Sequence, residues 1–246
     1  MNDDGADFHN VYADRVRARA YADLAFPGSY YLAFRDLPRL FEEHVPGRRA
    51  LDFGCGAGRS SRFLRELGFQ VTGVDIAPEM LEHARAADPA GDYRLVPEGD
   101  FSTLEPAAYD LAFSAFTFDN VAGNESRLGL LLGLRGCLAR HGRIVNLASA
   151  EDIYLHEWLS FSTKDFPENH TARSGDEVRI VMLDVDDRRP VRDTLCTDED
   201  YRKLYDRAGL ELLETHRPLG TADDPHEWVT ETSVSPWAIY VLRAGA

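Results

Sequence analysis

Hydrophobic and polar positions follow two alternating rhythms from about residue 49 to residue 149. Short apolar runs typical of buried strands are separated by stretches in which apolar residues return every three or four positions, as on one face of a helix. The predicted strands cover residues 49–53, 70–74, 92–96, 109–113 and 143–148. Because strands that alternate with helices build a parallel sheet covered on both faces, this pattern predicts an α/β, doubly wound core.

The rhythm changes after residue 149. Residues 150–197 carry scattered aromatics and one predicted antiparallel pair, 178–183 with 190–195. Thr197 then begins a predicted helix that Gly209 ends, and the last two strands are predicted at 210–215 and 237–242. We therefore expect four segments: an N-terminal helical cap (1–46), the core (47–149), a mid-chain insertion (150–197) and the C-terminal part of the same sheet domain (198–246).

The amino-acid composition excludes several classes of binding partner. The 246 residues include 27 Lys+Arg and 42 Asp+Glu, a net charge of −15, which argues against nucleic acid and against anionic lipid as partners. Every long apolar run is interrupted, and the acidic start is followed by no apolar stretch, so neither a membrane span nor a signal peptide is predicted. The three cysteines are far apart, which disfavours disulfides and zinc and favours the cytoplasm.

The clearest chemical motif follows the first predicted strand. Gly54, Gly56 and Gly58 form a D-x-G-x-G-x-G run, and glycines at such a strand end let the backbone approach a ligand closely. Arg59 stands where the dinucleotide fingerprint would need glycine. Asp75 ends the second strand, where a carboxylate can accept both hydroxyls of a ribose. Further candidates follow the third and fourth strands: Gly99, Asp100, Phe101, Ser114 and Ala115.

This series resembles the class I S-adenosylmethionine-dependent methyltransferases, in particular their small-molecule branch. The resemblance covers residues 49–149 and, more loosely, the last two strands. It implies a Rossmann-like, seven-stranded, mostly parallel sheet whose last strand is antiparallel. It also implies S-adenosyl-L-methionine as cofactor and in-line transfer of its methyl group to a small organic acceptor.

The resemblance also implies roles for individual residues. The glycine loop would wrap the methionine part of the cofactor, with Asp52 near the amino group. Asp75 would take the ribose hydroxyls, Ile76 would pack on the adenine, and Arg35 would pair with the carboxylate. The predicted cofactor-binding set is Tyr21, Tyr31, Arg35, Asp52, Gly54, Cys55, Gly56, Gly58, Asp75, Ile76, Met80, Gly99, Asp100, Phe101, Ser114 and Ala115.

Methyl transfer requires first that the acceptor be aligned with the methyl group of the cofactor. It requires a general base only where the nucleophile loses a proton. His156 is the leading candidate for that base, because it follows the fifth strand at the ligand edge and its ordinary pKa suits proton transfer near neutrality. Asp119 is the second candidate. Trp158 and Phe161 suit an apolar acceptor but equally suit the core of the insertion. No metal is expected, because Asp119–Asn120 alone is a poor set of oxygen ligands.

Three other functions stay open on these patterns. The same cofactor motifs serve enzymes that use S-adenosylmethionine for another reaction, for example cyclisation of its aminobutyl part. A nicotinamide-dependent oxidoreductase is disfavoured by Arg59, and a non-catalytic cofactor-binding protein is disfavoured by the intact glycine loop. The run after the fourth strand has no prolines of the kind found in enzymes that methylate nucleic-acid bases. The acceptor, the atom methylated and the oligomeric state are not determined by these patterns.

Overall fold

A computed structural model describes residues 27–97 and 99–245, which form two sheets. The strands are β1 (Arg49–Phe53), β2 (Gln70–Asp75), β3 (Asp92–Leu95), β4 (Tyr109–Ala115), β5 (Leu138–Ser149), β6 (Phe161–Ser162), β7 (Glu177–Met182), β8 (Val191–Thr194), β9 (Leu210–His216) and β10 (Trp237–Ala244). The larger sheet has the order β3-β2-β1-β4-β5-β10-β9. Only β10 runs antiparallel to its neighbours in this sheet. The predicted fold class is confirmed.

The helices lie on both faces of the larger sheet. They are α1 (Ser29–Arg35), α2 (Leu37–His44), α3 (Arg59–Glu66), α4 (Pro78–Ala87), α5 (Asn124–Cys137) and α6 (Asp198–Arg207), with short 3₁₀ turns at Phe118–Asn120, Glu151–Tyr154 and Pro167–Thr171. The side chain of Thr197 accepts a hydrogen bond from the Asp200 amide at 3.3 Å and caps α6. Gly209, at φ 64°, follows its end as predicted. Among the described residues, no helix combines the length and apolar character needed to cross a bilayer.

Alternation along the central strands divides the core between the two faces. Leu111 and Phe113 of β4 join the cluster that contains α1, α2 and the insertion, whereas Ala112 joins the cluster that contains α5 and α6. All three are fully buried. Successive side chains of a strand point to opposite faces, so an uninterrupted apolar run requires cover on both sides. The central strands are therefore rigid supports for the residues at their ends.

The insertion forms a second, three-stranded antiparallel sheet, β6-β7-β8. Its β7–β8 pair confirms the antiparallel pair predicted from the sequence. Ile180 and Met182 of β7 pack in the same hydrophobic cluster as Leu147 and Trp237 of the larger sheet. The insertion is thus part of the main core, and it covers the carboxyl end of β5.

Candidate functional site

A cavity of about 230 Å³ lies at the carboxyl ends of β1, β2, β4 and β5. Parallel strands all end at the same edge of a sheet, which is where open α/β sheets bind ligands. The loop after β1 lines one part of the cavity. The rest is lined by residues from α1, α3, α4, α5, the insertion and the start of β10, and from the segments that follow β2, β3 and β4.

The glycine loop has a backbone that favours glycine at three positions. Gly54, Gly56 and Gly58 have φ angles of 71°, 53° and 77°. Side chains are rarely tolerated in this region because Cβ approaches the following carbonyl oxygen. Space is limited as well: a Cβ on Gly54 would lie 2.2 Å from Thr117 Oγ1, and one on Gly58 would lie 2.6 Å from the Tyr93 hydroxyl. The loop conformation therefore depends on these glycines.

Asp75 joins the end of β2 to the glycine loop. Its Oδ2 accepts a hydrogen bond from the Gly56 amide and its Oδ1 from the Ala77 amide, each at 2.8 Å. Burial raises the pKa of Asp75, and these amides oppose the shift. Each carboxylate oxygen can accept a second hydrogen bond, so the side chain is positioned for a ligand with two neighbouring hydroxyls. Ile76 beside it also lines the cavity, with 37% of its surface exposed.

Asp52 lies behind the loop and does not line the cavity. Its Oδ2 accepts hydrogen bonds from the hydroxyls of Ser60 and Ser61, whereas its Oδ1 is buried without a partner among the described residues. Burial raises the pKa of Asp52 to about 6, against the lowering effect of the two serines. Ser114 is also fully buried and has no hydrogen-bond partner for its hydroxyl among the described residues.

Most of the predicted cofactor set converges on this cavity. Phe101 lines it and stacks on Phe53, with ring centroids 5.8 Å apart. Asp100 accepts a hydrogen bond from the Ser102 amide at 2.9 Å and, like Gly58, does not line the cavity. The predicted residues that do line it are Gly54, Cys55, Gly56, Asp75, Ile76, Met80, Gly99, Phe101, Ala115 and Asp119.

The residues predicted from the N-terminal cap lie elsewhere. Arg35 donates hydrogen bonds to Asp36 and to Asp224 and does not line the cavity. Tyr31 packs edge-on against His226 and also does not line it. Tyr21 falls outside the described residues. The position of Arg35 therefore gives no support for its predicted pairing with a cofactor carboxylate.

Arg59 is the positively charged residue that the sequence patterns missed. It is the first residue of α3 and lines the cavity, with its guanidinium carbon 5.0 Å from the centroid of the Tyr30 ring and 5.7 Å from that of Phe34. In the sequence, Arg59 stood out only because it breaks the dinucleotide pattern. Its place directly after the glycine loop is the signal that could have identified it.

Asp119 has the environment expected of an acid/base group. The carboxylate is buried, lines the cavity, and accepts hydrogen bonds from the amide of Ser149 at 3.1 Å and from its hydroxyl at 2.8 Å. Burial raises the pKa of Asp119 to about 6, while Ser149 and the nearby Arg127 guanidinium oppose the shift. The group is therefore poised to exchange a proton close to neutral pH.

His156 occupies a different place from the one its sequence position suggested. The residue is exposed and does not line the cavity. Its ring contacts Trp158 edge-on at 5.9 Å, and its backbone carbonyl accepts a hydrogen bond from the Thr163 hydroxyl at 2.9 Å. The 3₁₀ turn after β5 keeps Ile153 and Tyr154 inside and carries the following residues outward. This position gives no support to an acid/base role for His156.

Four aromatic residues that line the cavity pack against one another. Tyr30, Phe116, Phe161 and Trp237, which we call the aromatic wall, contact one another with ring centroids 4.8–5.7 Å apart. Phe116 has a φ of 62°, a rare value for a bulky residue that marks local strain. Asp193 of β8 also lines this region. Neither Phe116 nor Asp193 was predicted, because no local pattern distinguishes them.

Comparisons with known proteins agree with this geometry. Residues 51–146 match a family model described as a methyltransferase domain. The chain is 38% identical over 113 residues to a ubiquinone biosynthesis O-methyltransferase of Burkholderia thailandensis, a match covering 40% of this chain and 49% of that protein. It is 46% identical over 72 residues to a malonyl-[acyl-carrier protein] O-methyltransferase of Serratia marcescens, covering 28% and 27%. The chain thus spans about half the length of the first relative and less of the second.

The fold as a whole is similar to that of solved methyltransferases. A crystal structure of an S-adenosylmethionine-dependent methyltransferase from Mesorhizobium loti matches with a TM-score of 0.60, covering 86% of this chain and 97% of that one at 21% sequence identity. At this coverage the similarity extends beyond residues 51–146. The family match itself ends before the insertion that lines the aromatic end of the cavity.

Proposed function

We propose that this chain is a class I S-adenosylmethionine-dependent methyltransferase that transfers a methyl group from that cofactor to a small organic acceptor, because residues 51–146 match a methyltransferase-domain model. The observation that carries the proposal is Asp75, whose two oxygens are each held by a backbone amide at the cavity edge. The proposed partners are small molecules. Each of the three cysteines is an unpaired, buried thiol, which supports a reducing cytoplasmic setting.

The cavity fits the cofactor in shape and chemistry. Asp75 would accept the ribose hydroxyls, and the exposed face of Ile76 together with Phe101 would cover the adenine. The loop from Gly54 to Gly56 would run beside the methionine part. For the cofactor carboxylate we propose Arg59 in place of Arg35, because Arg59 is the positively charged side chain among the described lining residues.

The chain's own residues provide alignment and a proton acceptor. When bound, the cofactor supplies an electrophilic methyl group on a sulfonium, which leaves as an uncharged thioether. The aromatic wall excludes water and holds the acceptor against that methyl group. Asp119, held by both the amide and the hydroxyl of Ser149, takes the proton that the nucleophile sheds.

Calorimetric titration of S-adenosylhomocysteine into Asp75→Ala tests this function. The variant loses hydrogen bonds to a charged acceptor, and we expect its affinity to fall by about tenfold or more. Asp92→Asn, on the exposed side chain at the start of β3, is the matched control and should bind as the native protein does. A folded Asp75→Ala variant with native affinity would remove the assignment. Release of S-adenosylhomocysteine during turnover identifies methyl transfer, whereas methylthioadenosine would indicate a different use of the cofactor.

A further inference from the structure

The proposed general base lies on a short turn. Asp119 is the middle residue of the 3₁₀ turn Phe118–Asn120, which follows β4. The amide and the hydroxyl of Ser149, at the end of β5, donate hydrogen bonds to its carboxylate. The hydrogen bonds of a single 3₁₀ turn have poor geometry, so neighbouring elements must hold such a backbone in place. One arginine of α5 does so here.

Arg127 connects this turn to the insertion. The side chain is fully buried. Its Nε donates a hydrogen bond at 3.3 Å to the carbonyl of Phe118, which belongs to the peptide bond between Phe118 and Asp119. Its Nη2 donates to the carbonyl of Thr194, at the end of β8, at 2.8 Å. Its Nη1 donates to Asn124 Oδ1, within α5, at 3.2 Å. Arg127 therefore fixes the backbone of the base against both α5 and the insertion.

The charge of Arg127 is buried together with the charge of Asp119. The three hydrogen bonds of the guanidinium all go to neutral oxygens. A buried positive charge is costly unless negative charge lies near it. Burial raises the pKa of Asp119, and Ser149 and Arg127 lower it. Arg127 also lowers the pKa of Asp200, but that carboxylate is only half-buried and forms an ion pair with Lys203. The buried guanidinium and the buried Asp119 carboxylate therefore stabilise each other.

Three other titratable groups respond to the charge of Asp119 and stay protonated near neutral pH. They are the phenols of Tyr154 and Tyr201 and the thiol of Cys196. Burial is the largest cause that raises the pKa of each group, and the Asp119 carboxylate adds to the rise. The Tyr154 hydroxyl donates a hydrogen bond to Asp193 of β8. Among the described groups that shift the pKa of Asp119, Arg127 is the one with a positive charge.

We propose that Arg127 is the positioning residue of the general base: it fixes the turn that carries Asp119 and keeps the carboxylate ionised, so that Asp119 can accept a proton near neutral pH. This inference rests on the proposed methyl transfer, in which Asp119 takes the proton of the nucleophile. Arg127 does not line the cavity, so it acts through Asp119 and not on a ligand. Water does not screen buried charges as it screens exposed ones, so the guanidinium acts on the carboxylate without direct contact.

Titration of the Asp119 carboxyl carbon by nuclear magnetic resonance tests the inference without turnover. The signal is identified by its loss in Asp119→Asn, and its native midpoint should lie at about pH 6. Arg127→Gln keeps a hydrogen-bond donor but loses the charge, and the midpoint should rise by about one pH unit or more. Arg127→Lys keeps the charge, and its midpoint should stay within about half a unit of native. Arg135→Gln, at an exposed arginine of the same helix, is the control and should leave the midpoint unchanged.

Steady-state rates of the same variants separate positioning from packing. In Arg127→Gln the rise of turnover with pH should move upward together with the midpoint of Asp119. A residue that only packs would lower turnover at every pH and leave the rise at about pH 6. A midpoint in Arg127→Gln within about half a unit of native would overturn the inference, and so would a midpoint in Arg127→Lys that rises as far as in Arg127→Gln.

The native protein gives a second test that does not depend on the folding of an Arg127 variant. The Nε–H signal of Arg127 should shift with pH around the midpoint of Asp119, and this shift should disappear in Asp119→Asn. A signal that does not respond to the ionisation of Asp119 would overturn the inference. Native protein that neither binds nor releases S-adenosylhomocysteine would contradict the proposed function instead, and the titration of Asp119 would still decide the role of Arg127.

Discussion

At the scale of single residues, Asp119 combines burial with two hydrogen bonds from Ser149, and its pKa rises to about 6. The groups that oppose this rise are the amide and hydroxyl of Ser149 and the Arg127 guanidinium, each of which lowers the pKa of Asp119. Because the folded pKa lies above that of an exposed aspartate, ionisation of Asp119 opposes folding, and this cost is present above pH 6 and lost as the pH falls.

We expect turnover to rise with pH through about 6 and to level off above it, because a general base acts in its ionised form. Asp119→Asn should lower turnover by roughly 10²-fold or more and remove this pH step, with S-adenosylhomocysteine affinity nearly unchanged. His156→Ala is the informative comparison: its exposed ring predicts turnover within about twofold of native. Steady-state rates across the pH range distinguish the two candidates. If only His156→Ala lost turnover, His156 would be the general base, as predicted from the sequence.

Gly56 carries a second prediction at this scale. Its φ is 53°, and an added Cβ would lie 3.2 Å from the end of the flexible Met80 side chain. Backbone conformation, more than a clash, therefore requires glycine here. Gly56→Val should abolish S-adenosylhomocysteine binding in calorimetry while helix content, measured by circular dichroism, stays near native. Gly129→Val, at a position in α5 with no atom near the added Cβ, should bind normally. If Gly56→Val bound S-adenosylhomocysteine normally, the loop would be only a turn between β1 and α3 and not part of the binding site.

At the scale of elements, Glu231 links three segments around the cavity. The side chain is fully buried. Its Oε1 accepts from the Ser29 hydroxyl of α1 at 2.5 Å and from the Leu159 amide of the insertion at 2.8 Å. Its Oε2 accepts from the amides of Val229 and Thr230, before β10, at 2.9 and 3.0 Å. One carboxylate therefore fixes the start of α1 against the insertion and the loop that precedes β10.

Glu231→Gln should lower the free energy of unfolding by about 2–3 kcal/mol, because the new amide group would face donors in place of an acceptor oxygen. Urea denaturation measures the change. Glu227→Gln nearby is exposed and should stay within about 0.5 kcal/mol of native. A Glu231→Gln variant as stable as this control would mean that packing alone holds the three segments together.

At the scale of the whole molecule, the insertion and the main sheet share one hydrophobic cluster and one cavity. We expect a single unfolding transition, with near- and far-ultraviolet circular dichroism melting together. S-adenosylhomocysteine at about 100 times its dissociation constant should raise the free energy of unfolding by roughly 2.7 kcal/mol. Asp75→Ala, with its affinity lowered about tenfold or more, should gain only about 1.4 kcal/mol or less at the same ligand concentration. Separate transitions for the two signals would mean that the insertion unfolds on its own.

Local patterns in the sequence were sufficient to predict the larger sheet and several of the residues that line the cavity. The alternation of strands and helices predicted β1, β2 and β4 within a few residues, and the glycines marked the loop after β1. Asp75 was predictable because it ends a strand, and the carboxyl ends of parallel strands meet at one edge. The sequence therefore determined the part of the cavity formed by the glycine loop and Asp75, where each residue's position follows from the element that carries it.

Only the tertiary structure decided which residues line the cavity beside the aromatic wall. Arg35 turns to Asp224, His156 points outward and Asp193 enters the cavity, and each outcome depends on contacts between segments far apart in the chain. Periodicity sets side-chain direction within a regular helix or strand, but not in the short turns that precede His156. Nor does it set how the small sheet of β8 packs against the main sheet. Asp119 and Asp193 therefore line the same cavity only through long-range packing, which no local pattern encodes.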